Sequence, residues 1–354
     1  MEKRKAPFWE RESFSVRRKN LEQRARIVRA IRSFFDVSGF VEVQTPALQV
    51  SPGLEPHLQA FSTDLLDPNG NRRERRYLHT SPEFAMKKIL AAGMERIYQI
   101  SLVYRNRERS ATHHPEFSML EWYRAGAPYT VLMDDCEALL RACTKAAGGG
   151  KLLTWKGVTA DPELPFERIS VQEAFLKYAE TDILASIRDP LQPTPEGLRR
   201  ACRNLGISCA PDDSWEDLFF RIFLEKIEPN LGAGRPTILY DYPISMAALS
   251  RPKAEATHLA ERFELYVCGL ELANAFGELT DPRAQRVRFE ADMQKKQRLY
   301  GERYPLDEDF LAALAFMPES SGIALGVDRL AMLITGAGQI EDVLWAPVAE
   351  PGGT

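Results

Sequence analysis

Hydrophobic positions over residues 21–37 recur at helical spacing: Leu21, Ala25, Val28, Ile31, Phe34 and Phe35 share one stripe, and Gly39 stops it. The pattern predicts a helix over 21–37 behind a polar lead-in at 1–20. Phe40–Val43 then reads as a strand closed by Pro46. Residues 51–76 are loop-rich, with a hairpin turn at Asp67-Pro68-Asn69-Gly70. Ser81-Pro82-Glu83 starts a helix with a cap, a first-turn proline and an acid at the positive end, and Met86, Ile89 and Leu90 carry it to Gly93. Ile97–Arg105 and Phe117–Arg124 read as strands joined by a polar loop. Residues 126–165, with Gly148-Gly149-Gly150 and several prolines, read as a linker around one helix. Residues 170–230 are polar and mostly helical, the pattern of an inserted subdomain. Strand signals return at Thr237–Tyr240, Phe263–Val267 and Ile323–Gly326, and a last helix starts near Val327. Strands separated by long insertions, without regular alternation with helices, predict an α+β fold with a mainly antiparallel sheet.

The chain has 354 residues, 44% of them hydrophobic, enough for one large domain with insertions. Lys plus Arg number 46 against 50 Asp plus Glu, a net charge of −4, without the basic surplus of a protein that grips nucleic acid by its phosphates. The run Arg72, Arg73, Arg75, Arg76 is broken by Glu74 and reads either as a solvated loop or as a patch for an acidic partner. Cys136, Cys143, Cys202, Cys209 and Cys268 show no metal-site spacing. An odd cysteine count with no secretory signal points to reduced thiols in the cytoplasm. No stretch approaches the roughly 18 apolar residues of a membrane span.

Candidate chemistry starts at the strand Phe117-Ser-Met-Leu-Glu-Trp-Tyr-Arg124. Alternation puts Phe117, Met119, Glu121 and Tyr123 on one face. A ring, a carboxylate and a phenol in line can stack a flat base and hold a cationic amine; an ordinary amphipathic face would show the same pattern. Around it stand Gly39-Phe-Val-Glu-Val-Gln-Thr-Pro-Ala-Leu48, then Tyr104-Arg105-Asn-Arg-Glu108 with His113-His114-Pro-Glu-Phe117, and finally Gly322-Ile-Ala-Leu-Gly-Val-Asp-Arg-Leu330.

In order and spacing these segments resemble motifs 1, 2 and 3 of the class II aminoacyl-tRNA synthetases, from about residue 21 to about 345. The resemblance implies that family's catalytic core, a mainly antiparallel sheet flanked by helices, with a helical insertion at about 170–230 and a tail at 346–354. Thr80-Ser-Pro-Glu-Phe84, His114-Pro-Glu-Phe-Ser-Met-Leu-Glu-Trp-Tyr123 and Glu271-Leu-Ala-Asn-Ala-Phe-Gly-Glu-Leu279 look lysyl-like. Two features depart from lysyl-tRNA synthetases: too few residues precede the first helix for their OB-fold, and the middle glycine of their motif 3 is Ala324. Both are similar to the elongation factor P–lysine ligases, short lysyl-tRNA-synthetase paralogues.

That resemblance implies an ATP-dependent ligase that adenylates (R)-β-lysine or lysine and passes it to a lysine of elongation factor P, without anticodon recognition and as a homodimer through motif 1. Arg105 and Arg329 are the implied catalytic cations, on the α- and γ-phosphates. Forming an acyl-adenylate from a carboxylate and ATP needs cations aimed at the phosphates. Arg107, Glu108, His114, Phe117, Glu271, Leu272 and Gly326 complete the implied ATP site. Glu264 and Glu271 are the implied Mg²⁺ ligands. Ser81, Glu83, Glu121, Tyr123, Asn274, Glu278 and Ala324 are the implied amino-acid site, Glu278 and Tyr123 on the distal ammonium and Asn274 on the carboxylate. Arg107 stands where the family has a glutamate, so either Glu108 takes over through a shifted loop or nucleotide contacts differ. Glu271, Asn274 and Glu278 fit either a helical face or a bulged strand. The alternatives are a stand-alone lysyl-tRNA-synthetase-like enzyme and a non-catalytic regulatory module. Arg105, Glu271 and Arg329 argue against the module, which need not keep phosphate and metal ligands.

Overall fold

Helix α1 (Arg11–Val37) buries Leu21, Ile27, Ile31 and Phe35 as the periodicity predicts, but begins ten residues before the predicted start. Its first turns carry no apolar stripe and are anchored instead by Arg17, whose buried guanidinium donates to the carbonyl of Leu344. Residues 11–20 of the predicted lead-in are therefore helix. The computed structural model describes residues 7–349 apart from 149, 188 and 248. The outer parts of the predicted lead-in and tail, 1–6 and 350–354, lie outside the described residues, as does Gly149.

The main sheet comprises β1 (Val41–Glu42), β5 (Arg96–Tyr104), β6 (Glu116–Ala125), β9 (Glu167–Ser170), β10 (Thr237–Pro243), β11 (Pro252–Lys253), β12 (Ala256–Val267), β13 (Leu270–Gly277) and β14 (Ser320–Gly326). Their order is β1-β5-β6-β14-β13-β12-β10-β9, with β11 beside β12. Pairing is antiparallel through the centre and parallel at the two ends. A small sheet of β2 (Leu48–Gln49), β3 (Ser62–Leu66) and β4 (Arg73–Leu78) lies alongside. The predicted turn joins β3 to β4, where the Gly70 amide donates to Asp67 O at 2.9 Å. Arg73, Arg75 and Arg76 fall on β4 and Arg72 just before it, the four paired with Asp64 or Glu74.

One face of the sheet is covered by α1, α3 (Thr130–Ala147) and α9 (Val327–Thr335). There Trp122, Ile323, Ala275 and Phe263 line up across neighbouring strands and pack under Phe35, Leu132, Leu139 and Leu333. Residues 126–165 are thus core, not linker: α3 buries Leu132, Met133, Cys136, Leu139, Leu140 and Cys143, and the hairpin β7 (Leu153–Trp155) with β8 (Val158–Ala160) closes over α9. The one helix expected in this segment is present as α3; what the glycines and prolines around it obscure is that it packs into the core. The predicted insertion holds α4 (Val171–Ala179), α5 (Glu196–Asn204) and α6 (Trp215–Ile222) around its own core of Phe175, Leu198, Trp215 and Phe219. The other face of the sheet is bordered by α2 (Glu83–Ala91), α7 (Pro282–Tyr300) and α8 (Glu308–Leu314), which share a third core with Tyr123. That face carries the polar residues.

Candidate active site

Residues directly opposite one another in a sheet share a face. Across the strands, Gln99, Glu121, Ala324, Asn274 and Glu264 form one such row. A second row, two residues along, runs Ile97, Tyr123, Gly322, Phe276 and Arg262. The spacing of three between Glu271 and Asn274 is resolved by a bulge: Leu272 is the extra residue, so Tyr266 pairs with Glu271 while Glu264 pairs with Asn274. Both acids and the amide thus reach the same face, and Leu272 turns into the core.

Ser81, Glu83, Glu121, Tyr123 and Glu278 close one end of this face. Glu121 accepts from Ser81 Oγ at 2.5 Å and from Tyr123 OH at 2.9 Å. Its burial, followed by the nearby Glu83, pushes its carboxyl up to about 8 despite those two donors. Glu278 is likewise raised to about 7, by burial. Gly322 lies opposite Tyr123, and a methyl on it would overlap the Tyr123 ring and the Glu278 carboxylate. Lys87, which no motif in the sequence marks, bonds to Glu83 one helical turn away and lies 2.5 Å from Glu278. Asn274 Oδ1 is buried with no protein partner among the described residues.

The other end is cationic. Arg105 follows β5, donates to Thr80 O at 3.3 Å and lies over the Phe117 ring at 5.3 Å. Arg329, in the first turn of α9, donates to Glu271 O at 2.7 Å and contacts His113 Nε2 at 2.8 Å. A guanidinium can only donate, so His113 Nε2 accepts and Nδ1 carries the proton toward Ser110 Oγ. Burial, with Arg329 and Arg105 adding, lowers His113 to about 4 and keeps it neutral. His114, its predicted neighbour, is buried and turned away from this face, bonded to Glu116 O at 2.6 Å and Val348 N at 3.2 Å. Arg107 is exposed in a left-handed turn, φ 64°, which breaks the strand alternation and leaves Glu108 partly buried beside it. Gly326 caps the start of α9, and a methyl on it would meet the Arg329 stem at ordinary contact distance.

Among the described residues no group of three or more His, Cys, Asp or Glu has metal-site geometry. Glu264 Oε2 already accepts from Tyr242 OH at 2.6 Å and Tyr266 OH at 2.5 Å, and Oε1 from Arg262 at 2.5 Å. A carboxylate oxygen has two lone pairs, so Oε1 keeps one. Glu271 is raised to about 7, first by burial and then by Glu264. Two neighbouring acids, one of them raised by the other, suit a shared cation, provided phosphate oxygens supply the remaining ligands.

The family model for class II tRNA synthetases (D, K and N) matches residues 9–350. An elongation factor P–(R)-beta-lysine ligase from Proteus mirabilis is 39% identical over 332 residues, 93% of this chain and 95% of that protein. A ligase of the same name from Haemophilus influenzae is also 39% identical, over 92% of this chain and 94% of its own. A lysine–tRNA ligase from Pelotomaculum thermopropionicum is 36% identical over 93% of this chain and 63% of that protein. The antiparallel sheet, the motifs upon it and this match across nearly all of the sequence agree: the chain belongs to the class II tRNA synthetase family of the D, K and N type.

Proposed function

We propose that the protein is an ATP-dependent ligase that adenylates (R)-β-lysine or lysine and transfers it to a lysine side chain of elongation factor P. The carrying observation is one buried sheet face with carboxylates at one end and arginines at the other. Glu83, Glu121 and Glu278 with Tyr123 offer acceptors for ammonium groups, and Asn274 offers an amide for the carboxylate. Arg105 and Arg329 face the phosphates, Phe117 stacks on adenine and Glu108 reaches its amine. The names of the Proteus and Haemophilus relatives supply the acceptor.

In the first step a carboxylate oxygen of the amino acid attacks the α-phosphorus and pyrophosphate leaves. Arg105 offsets charge on the α-phosphate, and Arg329, held by Glu271 O and neutral His113, offsets charge on the leaving group. In the second step a deprotonated lysine amine attacks the acyl carbon and AMP leaves. Positioning of the two reactants supplies much of the rate. Glu271 and the free side of Glu264 Oε1 would hold Mg²⁺, which neutralises phosphate charge when bound.

Exposed Val37, Val41, Leu48 and Val50, along and beside the motif 1 segment, support a homodimer through that edge. Among the described residues no helix is long and apolar enough to cross a membrane; with its reduced thiols the protein is read as cytoplasmic. The lysine–tRNA ligase relatives favour a second reading, in which tRNA is the acceptor. ATP–pyrophosphate exchange that depends on (R)-β-lysine or lysine tests the first step, and exchange with neither would defeat both readings. Transfer from the adenylate to elongation factor P against tRNA then separates the two.

A further inference from the structure

Lys87 has no part in the steps above, yet it is among the largest fully buried side chains of the molecule. It rises from α2 beneath the acidic end of the face, its side chain 1% exposed. Its ammonium takes Oε1 of Glu83 and lies 2.5 Å from Oε2 of Glu278. The other oxygen of Glu278, Oε1, lies over Gly322 beside the Tyr123 ring. Burial disfavours the charged form of Lys87, but Glu278 and Glu83 outweigh burial and hold it charged. Glu83, Glu121 and Glu278 carry −3 when ionised, and Lys87 at +1 leaves −2.

We propose that Lys87 is a positioning and specificity-determining residue of the amino-acid pocket: its ammonium fixes the separation of Glu83 and Glu278 and cancels one of three carboxylate charges, matching the pocket to a substrate with two ammonium groups. The inference rests on the reading of this pocket as the amino-acid site. Because Lys87 is enclosed, an incoming diamine takes the oxygens that Lys87 leaves over, not the place of Lys87 itself.

Without Lys87 the remaining groups facing its position are mostly acids: Glu55 before β3, Glu83 on α2, Glu121 and Tyr123 on β6, and Glu278 after β13, with Arg105 and Arg251 as the neighbouring cations. Burial raises Glu121 and Glu278 even with Lys87 in place, and Lys87 counters that rise, so its loss raises both further; a protonated carboxyl cannot accept from an ammonium at the oxygen that carries the proton. The substrate would have to displace that proton, a cost that disappears as pH rises.

The test is ATP–pyrophosphate exchange by wild type, Lys87→Met and Lys87→Arg with (R)-β-lysine and α-lysine, with thermal melts to verify folding. Wild-type exchange with neither isomer would remove the underlying reading and this inference with it. Given wild-type exchange, Lys87→Met should raise KM for the amino acid about tenfold or more at neutral pH, one unit of carboxyl pKa being tenfold. Its kcat should stay within about threefold, and its KM should fall back toward wild type by about pH 9, which a loosened fold would not produce. Lys87→Arg, which keeps the charge, should hold KM within about threefold. A folded Met variant with wild-type KM, or an Arg variant impaired as much as the Met variant, would overturn the inference. If the Met variant does not fold, the Arg variant decides: a retained KM supports the inference and a tenfold rise contradicts it.

Discussion

Gly322 stands in the ladder between Tyr123 and Phe276, with the Tyr123 ring and the Glu278 carboxylate occupying the space a side chain would need. Gly322→Ala should therefore displace both groups while leaving the opposite, helix-covered face of the sheet intact. We expect KM for the amino acid to rise about 10- to 100-fold, the range for displacing a positioning group by about 1 Å. Steady-state exchange kinetics check this, and an unchanged KM would show that Tyr123 and Glu278 adjust without cost. Ala324, one register position along the same face, lies between Glu121 and Asn274. On the proposed reading its methyl would border both the amine and the carboxylate ends of the amino acid. Wild type should prefer (R)-β-lysine, and Ala324→Gly should move the ratio of kcat/KM values toward α-lysine, by up to about 10- to 200-fold for one methyl group. An identical ratio in the two proteins would leave Ala324 a packing residue.

At the scale of elements, the insertion is capped independently of the site. Ser214 and Asp217 form a reciprocal capping box at the start of α6, as Ser170 and Glu173 do for α4. Ser214→Ala should cost about 1 kcal/mol of local stability. Hydrogen exchange over residues 215–222 should then speed up while pyrophosphate exchange is unchanged; an equal loss of activity would mean that the insertion shapes the site. Elements with strong periodicity were legible in the sequence. Strand Phe117–Arg124 follows from alternation and the start of α2 from its Ser-Pro-Glu signature. What stayed hidden has physical causes. A bulge at Leu272 changes side-chain parity without any residue type that announces it. Lys87 sits on a helix, where a lysine is ordinarily solvated, and tertiary contacts from Glu278 bring it inside. His113 and His114 are neighbours, and only the loop geometry aims the first at Arg329 and the second at Glu116. The cue for His113 was its place in the motif 2 segment, eight residues after Arg105.

For the whole molecule, the buried acids couple folding, ligand and pH. Glu121 is raised from 4.5 to about 8 and Glu278 from 4.5 to about 7. Below pH 4.5 both are protonated whether the chain is folded or not, and no penalty arises. Between there and about pH 8 the unfolded chain releases protons that the folded one keeps, so this contribution to stability is lost as pH rises. A diamine favours the ionised carboxylates, so the increase in Tm produced by (R)-β-lysine should grow from about pH 6 to about pH 8.5. Thermal melts with and without the amino acid measure it, and a pH-independent increment would show that these carboxylates do not meet the ligand. The central claim is the transfer of that amino acid to a protein. Its most direct measurement is intact-mass spectrometry of elongation factor P incubated with this protein, ATP and (R)-β-lysine. A gain of one lysyl unit that requires all three is the expected result. An unmodified factor together with efficient charging of tRNA would contradict the account.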